Sequence, residues 1–302
     1  MVYVVEFDGK YVECVEAIQP PKQREEKWVL MVSTLFGCPV TCQICDAGGH
    51  YQGKLTDRQI LDQIHFLINK RYPNGIVPSR QFKIQFARMG EPALNPAVLD
   101  ALRKLPEEVN APGLMPSLST IAPYGTEDFF EGLLEVKNAY YPGGKFQFQY
   151  SIHTTDQKLR DELIPVRKLE FKEIAEFGER FVGPGDRKVT LNFALAEHSP
   201  VDPAVLKKYF DPEKFLIKIT PLNPTYQAES SGLASYLQGD KSSVQDPLIE
   251  EIRDAGYQVI LSIGELEENS IGSNCGQYVQ KHLEAVEKLG DGYTYQVESW
   301  SG

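Results

Sequence analysis

Residues 37–45 read GCPVTCQIC and set three cysteines, Cys38, Cys42 and Cys45, at the spacing C-x3-C-x2-C. Soft thiolates are the ligands of iron–sulfur clusters. A cluster of four irons held by three thiolates keeps one iron without a protein ligand. That iron can bind and activate a small molecule instead of only passing electrons. A structural zinc site asks for a fourth Cys or His at close spacing, and the next candidate, His50, follows Gly48 and Gly49 in a loop. The chain has five cysteines, an odd number, and no signal peptide or membrane-spanning run precedes the motif. Both features argue against disulfides and for a reducing, cytoplasmic setting.

Outward from the loop, residues 28–34 read as a strand that feeds directly into it, and residues 56–71 carry helical periodicity through Ile60, Ile64, Phe66 and Leu67. Upstream, residues 2–7 and 11–17 alternate apolar and polar about Asp8 and Gly9, as a β-hairpin does. Downstream, strand patterns at 82–86, 115–120, 146–152, 189–195 and 215–220 alternate with helical ones at 96–105, 127–136, 170–181 and 203–210. Six βα units result. The expected fold class is α/β, a partial (β/α)6 TIM-like barrel with its chemistry at the C-terminal ends of the strands. The cysteine loop follows the first of those strands. Residues 1–27 form an N-terminal hairpin extension, 28–225 the core, and 226–302 a C-terminal extension with a helix at 247–255, a strand at 257–263 and a helix at 276–289. Residues 227–243, rich in Ser and Gly, read as a mobile loop.

Acidic residues outnumber Lys plus Arg by 42 to 31, for a net charge of -11, and 42% of residues are hydrophobic, enough for a proper core. Proteins that grip a phosphate backbone bring a basic face, so DNA is not an expected partner, nor is a membrane. The local run of Arg160, Arg167 and Lys168 reads as a solvated helix end.

The expected strand ends carry polar groups suited to a cofactor: Met89-Gly90-Glu91-Pro92, Ser119-Thr120, Ser151-Ile152-His153 and Asn223 within Thr220-Pro221-Leu222-Asn223-Pro224. A glycine permits close backbone approach, and a carboxylate accepts hydrogen bonds from a ligand ammonium. The cysteine spacing resembles the signature of radical S-adenosylmethionine (SAM) enzymes. With the strand-end motifs, in this order, the chain resembles the RlmN/Cfr family of radical SAM RNA methyltransferases along nearly its whole length.

That resemblance implies a 4Fe–4S cluster on Cys38, Cys42 and Cys45, and SAM held by Gly90, Glu91, Ser119, Ser151, His153 and Asn223. Residues 151–165, SIHTTDQKLRDELIP, carry the family's SLH…R…L.P pattern, and Glu13 in VECV matches an acidic residue proposed as a proton acceptor. Asn274-Cys275-Gly276-Gln277 resembles the family's ACGQ segment, whose cysteine takes a methyl group from one SAM. A radical from a second SAM activates that methyl for addition to the substrate carbon. An sp2 carbon such as adenine C2 is not nucleophilic, which explains the need for a radical carrier. Cys275 is the carrier the resemblance implies.

Three departures from the family pattern stand out. The position seven residues before the first cluster cysteine, where the family has the thiol that resolves the covalent adduct, holds Met31, and a thioether makes no disulfide. Cys14 adjoins Glu13 on a strand, so the two should face opposite sides, and Cys14 reads as structural. Only about thirty residues precede the first core strand, where the family has a helical RNA-binding domain. Ahead of Cys275 the chain reads Gly264-Glu265-Leu266-Glu267-Glu268 in place of a basic stretch, and acid there repels phosphate.

A small molecule, nucleotide or peptide is therefore the expected substrate rather than RNA, with a reductant such as flavodoxin or ferredoxin. The competing expectations are hydrogen abstraction without methyl transfer, RNA methylation with another thiol resolving the adduct, and a degenerate SAM- or partner-binding protein.

Overall fold

β1 (Val2–Phe7) and β2 (Lys10–Ile18) form the antiparallel hairpin, turning at Asp8 and Gly9, both of positive φ. This computed structural model describes residues 1–237, 246–262, 275–289 and 297–299. β2 pairs antiparallel with β3 (Lys27–Val32), which feeds the cysteine loop. That loop is enclosed by a small separate pair, β4 (Leu35–Cys38) and β5 (Gly49–Lys54). Parallel to β3 run β6 (Gln81–Phe86), β7 (Leu114–Thr120), β8 (Gln147–Ser151), β9 (Val189–Leu195), β10 (Phe215–Pro221) and β11 (Val259–Leu261). One open nine-stranded sheet thus runs from β1 to β11, and the hairpin and the last strand are its two edges.

The helices are α1 (Asp57–Arg71), α2 (Ala97–Glu108), α3 (Glu127–Tyr140), α4 (Gln157–Leu163), α5 (Phe171–Phe181), α6 (Pro203–Tyr209), α7 (Tyr226–Ser230), α8 (Pro247–Asp254) and α9 (Gln277–Leu289). Sequence explains where they begin. Thr56 and Gln59 make a reciprocal capping box on α1, and Asp156, Asp202 and Asp246 each accept a backbone N–H at the start of α4, α6 and α8.

Period-two alternation decides which face of the sheet the helices cover. Phe148 and Tyr150 of β8 pack on Phe130 of α3, and Phe148 also meets Phe177 of α5. The intervening Gln147, Gln149 and Ser151 therefore face away from those helices. The register carries this polar face across the barrel, with Gln85 level with Ser117, Ser119 with Gln149, and Ser151 with Asn192. The helix side is a continuous apolar core that includes Trp28, Phe82, Phe193 and Phe215.

Three expectations need correction. Arg160 and Lys168 are not a solvated helix end. Arg160 is 0% exposed, donating to the carbonyls of Leu169 (2.8 Å) and Ile121 (3.2 Å), and buried Lys168 donates to Asp161 (2.6 Å) and Ile164 O (2.9 Å). Their charges satisfy loop carbonyls, while Arg167 alone lies over the Tyr124 ring. The segment 227–243 is not all loop: α7 is capped by Thr225, whose Oγ1 accepts from Ala228 N–H (3.0 Å). Residues 238–243 lie outside the described residues, as do the acidic stretch 264–268 and Asn274. The β4–β5 pair was not expected, because residues 35–38 and 49–54 carry no apolar alternation.

Candidate active site

The cysteine loop sits where β3 ends. Gly90, of φ 93°, packs on it so closely that a Cβ would lie 2.5 Å from Leu35 Cβ, so only glycine lets the loop after β6 meet the start of β4. The backbone groups of Val40 and Glu91 favour the Cys38 thiolate, against the effect of burial. Burial pushes the thiols up, Cys38 to about 11 and Cys42 to about 12, and Cys45 is raised well above the ordinary range. As thiols these groups hold their protons, and binding of iron would displace them.

Cys42 and Cys45 line a cavity of about 410 Å³. Among the described residues no three His, Cys, Asp or Glu side chains converge on a single metal-ion position. A donor set of three soft sulfurs, each binding its own iron, fits a cluster rather than one ion.

Beyond the loop, the strand ends gather the expected cofactor shell. Glu91 is buried and accepts from Thr120 Oγ1 (2.6 Å), Ile121 N–H (2.9 Å) and Ala93 N–H (2.9 Å). Burial still lifts its carboxyl to about 6. Ser119 accepts from Gln149 Nε2 (3.2 Å), and Ser151 ends β8 on the same face. His153, at φ 66°, accepts from Ala194 N–H at Nδ1 (3.1 Å), which leaves Nε2 to carry the proton. Burial, then the Arg160 charge, lowers it to about 4, so the imidazole is neutral. Asn223 lies past β10, exposed at the rim.

Two further residues belong to this constellation that sequence reasoning passed over. Asn192, level with Ser151, is buried, and its Oδ1 has no hydrogen-bond partner among the described residues. The alternation of β9 was the signal that could have found it. The second is Arg88, which ends the approach to Gly90.

Glu13 and Cys275, 262 positions apart in the chain, meet through Arg88. Glu13 is 0% exposed. Its Oε1 accepts from the N–H groups of Tyr278 (2.8 Å) and Val279 (3.0 Å), and its Oε2 from Gly276 N–H (3.0 Å), so it caps α9. Oε2 also accepts from Arg88 Nε (2.8 Å) and Nη2 (2.7 Å). Arg88 Nη1 lies 3.7 Å from Cys275 Sγ, and that sulfur is 3.8 Å from Ala87 O. Burial raises the Cys275 thiol and Arg88 opposes the rise. Gly276 presses on the cysteine loop, since a Cβ there would lie 2.6 Å from Asp46 C and Ala47 N.

Cys14 points away from Glu13 into the apolar core, 0% exposed, with its thiol raised far above the ordinary range by burial. Met31 is half-buried on β3, level with Val15 and Gln85. The cavity beside Cys42 and Cys45 is walled by Tyr11, Phe36, His50, Gln227, Gln280 and Glu284 among others, and no Lys or Arg is among its described lining residues. Lys10 stands nearby, donating to Gln52 O (2.9 Å) and lying over the Phe36 ring.

No protein-family model matches the chain. It is 28% identical over 186 residues to the probable dual-specificity RNA methyltransferase RlmN of Parasynechococcus marenigrum, covering 61% of this chain and 51% of the relative. To the protein of the same name from Cutibacterium acnes it is 26% identical over 288 residues, covering 89% and 66%. The chain thus spans about half to two thirds of the length of these curated relatives. Among solved structures it resembles a radical SAM methyltransferase from Sphaerobacter thermophilus, with TM-score 0.67 and 22% identity, covering 89% of this chain and 74% of that one. Spore photoproduct lyase shares the fold more distantly, with TM-score 0.52 and 12% identity over 77% of this chain and 75% of the lyase.

Proposed function

We propose that the chain, an RlmN/Cfr-like radical SAM enzyme by sequence and fold, methylates a carbon atom of a substrate other than ribosomal RNA, with Cys275 as methyl carrier. The observation that carries this reading is the seat of Cys275, held by Arg88 and followed by a glycine packed on the loop that bears Cys45. Cys38, Cys42 and Cys45 would hold a 4Fe–4S cluster, which would supply the electron for reductive cleavage of SAM.

The chain's own residues bind and aim. Glu91, held by three donors, would accept from the ammonium of SAM. Neutral His153 offers Nε2–H, while Ser119, Ser151 and Asn192 offer hydroxyl and amide groups on the polar face of the barrel, with Asn223 at its rim. Glu13, filled by backbone and Arg88 donors, anchors α9 in this reading, instead of accepting a proton. With Met31 a thioether and Cys14 sealed in the core, the adduct is resolved by a thiol or reductant from outside the chain.

A small molecule, nucleotide or peptide suits the cavity, whose described lining residues include no Lys or Arg and whose size is that of a small-ligand pocket, and the net charge of -11. RNA is the second reading, favoured by the names of the relatives. Steeply salt-dependent RNA binding would support it, and weak binding even at low salt would exclude it. Electrons would come from a donor such as flavodoxin or ferredoxin. No helix among the described residues is long and apolar enough to cross a membrane, and the five cysteines are unpaired, which supports a reducing compartment such as the cytoplasm.

The deciding experiment is anaerobic reconstitution followed by incubation with SAM and dithionite. The expected products are 5′-deoxyadenosine and one methyl group on Cys275, read by peptide mass spectrometry. No 5′-deoxyadenosine from cluster-loaded protein would overturn the radical SAM reading. A Cys275 that stays unmodified while 5′-deoxyadenosine forms would replace methyl transfer with direct hydrogen abstraction.

A further inference from the structure

Among the described residues the contact between Arg88 and Cys275 has no counterpart: a buried guanidinium shared between a carboxylate and a thiol. Burying an arginine is costly unless its donors are used. Arg88 uses them in a fork: Nε and Nη2 bond Glu13 Oε2 at 2.8 and 2.7 Å, and Nη1, on the other arm of the planar group, lies 3.7 Å from Cys275 Sγ. Three backbone N–H groups complete the carboxylate of Glu13 and hold it in place.

Each partner is itself held in place. Arg88 N–H donates to Val32 O (3.1 Å) at the end of β3, Glu13 lies inside β2, and Gly276 sits between Glu13 and the cysteine loop. The sulfur lies between Arg88 Nη1 at 3.7 Å and Ala87 O at 3.8 Å.

We propose that Arg88 is the positioning residue of Cys275, a guanidinium held by Glu13 that fixes the carrier sulfur and supplies its counter-charge when it accepts a methyl group. The proposal rests on the carrier reading above. In that step the Cys275 thiol has given its proton to solvent, and the thiolate attacks the methyl carbon of SAM. The bond from that carbon to the sulfonium breaks, its electron pair leaves with S-adenosylhomocysteine, and thiolate and sulfonium both become neutral. The thiolate is the reactive form, and a buried thiolate needs a cation beside it. Arg88 is a cation so placed, with Nη1 3.7 Å from Cys275 Sγ. The same arrangement explains release: a thioether is a poor acceptor, so the methylated sulfur loses its hold on Nη1 while Glu13 keeps the guanidinium in place.

The test uses the cluster-loaded protein, in which Cys38, Cys42 and Cys45 are occupied and Cys14 is buried. Methylation of Cys275 is followed by peptide mass spectrometry in a single turnover at several SAM concentrations, alongside its alkylation by iodoacetamide. Arg88→Met should lower the limiting methylation rate and the alkylation rate about tenfold or more, the effect of losing a hydrogen bond to a charged group. The SAM concentration for half-maximal rate should not move.

Arg88→Lys keeps a cation for Glu13 but has no second arm, so it should retain fold and cluster and fall between the two. It also serves if Arg88→Met does not fold. Wild-type rates in Arg88→Lys and Arg88→Met, or an equal loss accompanied by a weakened SAM dependence, would overturn the positioning role. If wild-type Cys275 acquires no methyl, the carrier reading fails instead. The alkylation series then decides alone whether Arg88 acts on the sulfur.

Discussion

His153 shows how one backbone hydrogen bond fixes a chemical state. With Ala194 N–H on Nδ1, the imidazole is a neutral Nε2–H tautomer in a buried position, and burial lowers it to about 4. In the unfolded chain it returns to the ordinary value near 6.5. The folded state therefore binds fewer protons than the unfolded one between these values. The contribution to stability is complete above about 6.5 and is lost as pH falls towards about 4. His153→Gln keeps an acceptor for Ala194 N–H but does not titrate, so the fall in melting temperature over this window should be shallower. Melting curves recorded across it in both proteins check this, and parallel curves would mean the imidazole does not carry the effect.

At this scale the cysteine triad was legible from its spacing, while the motifs after β6 and at the end of β8 were legible only from their places at expected strand ends and the resemblance they carry together. Arg88 was not, since its significance lies in residues 13 and 275, which no local pattern joins to it.

At the scale of elements, alternation made the barrel strands and most of the helices readable. It failed where pairing is imposed from outside. β4 is only four residues long, too short to show alternation, and β5 mixes two glycines with polar side chains, yet the two pair around the cysteine loop. Arg160 was misread for a related reason: a charge count does not see Ile121 O, brought 39 residues along the chain to receive it.

Packing between α5 and β10 offers a test of how tightly these elements fit. A Cβ on Gly178 would lie 2.4 Å from Phe215 Cζ, within a cluster of aromatic rings. Alanine favours a helix over glycine by about 1 kcal/mol, but overpacking costs about 1–3 kcal/mol. Gly178→Ala should thus be net destabilising in urea denaturation. A stabilised variant would show that the Phe215 ring has room to turn aside.

For the whole molecule, Glu13 is the hinge-point of the architecture. It ties the edge hairpin to α9 and, through Arg88, to the mouth of the barrel. Glu13→Ala leaves the buried guanidinium without its carboxylate, a loss of about 3–5 kcal/mol. Hydrogen exchange should speed up in residues 275–282 well before it does in β6 to β9. Uniform loss of protection across the sheet would instead mean that α9 and the barrel unfold as one unit.

The bonds from Glu13 to α9 join residues more than 260 positions apart. Synthesis runs from the N-terminus, so every strand of the sheet and the whole cysteine loop leave the ribosome before residues 275–279. The cap on α9 and the close approach of Gly276 to the cysteine loop therefore form only after all the sheet's strands have been made. A helix made late closes onto a hairpin made early.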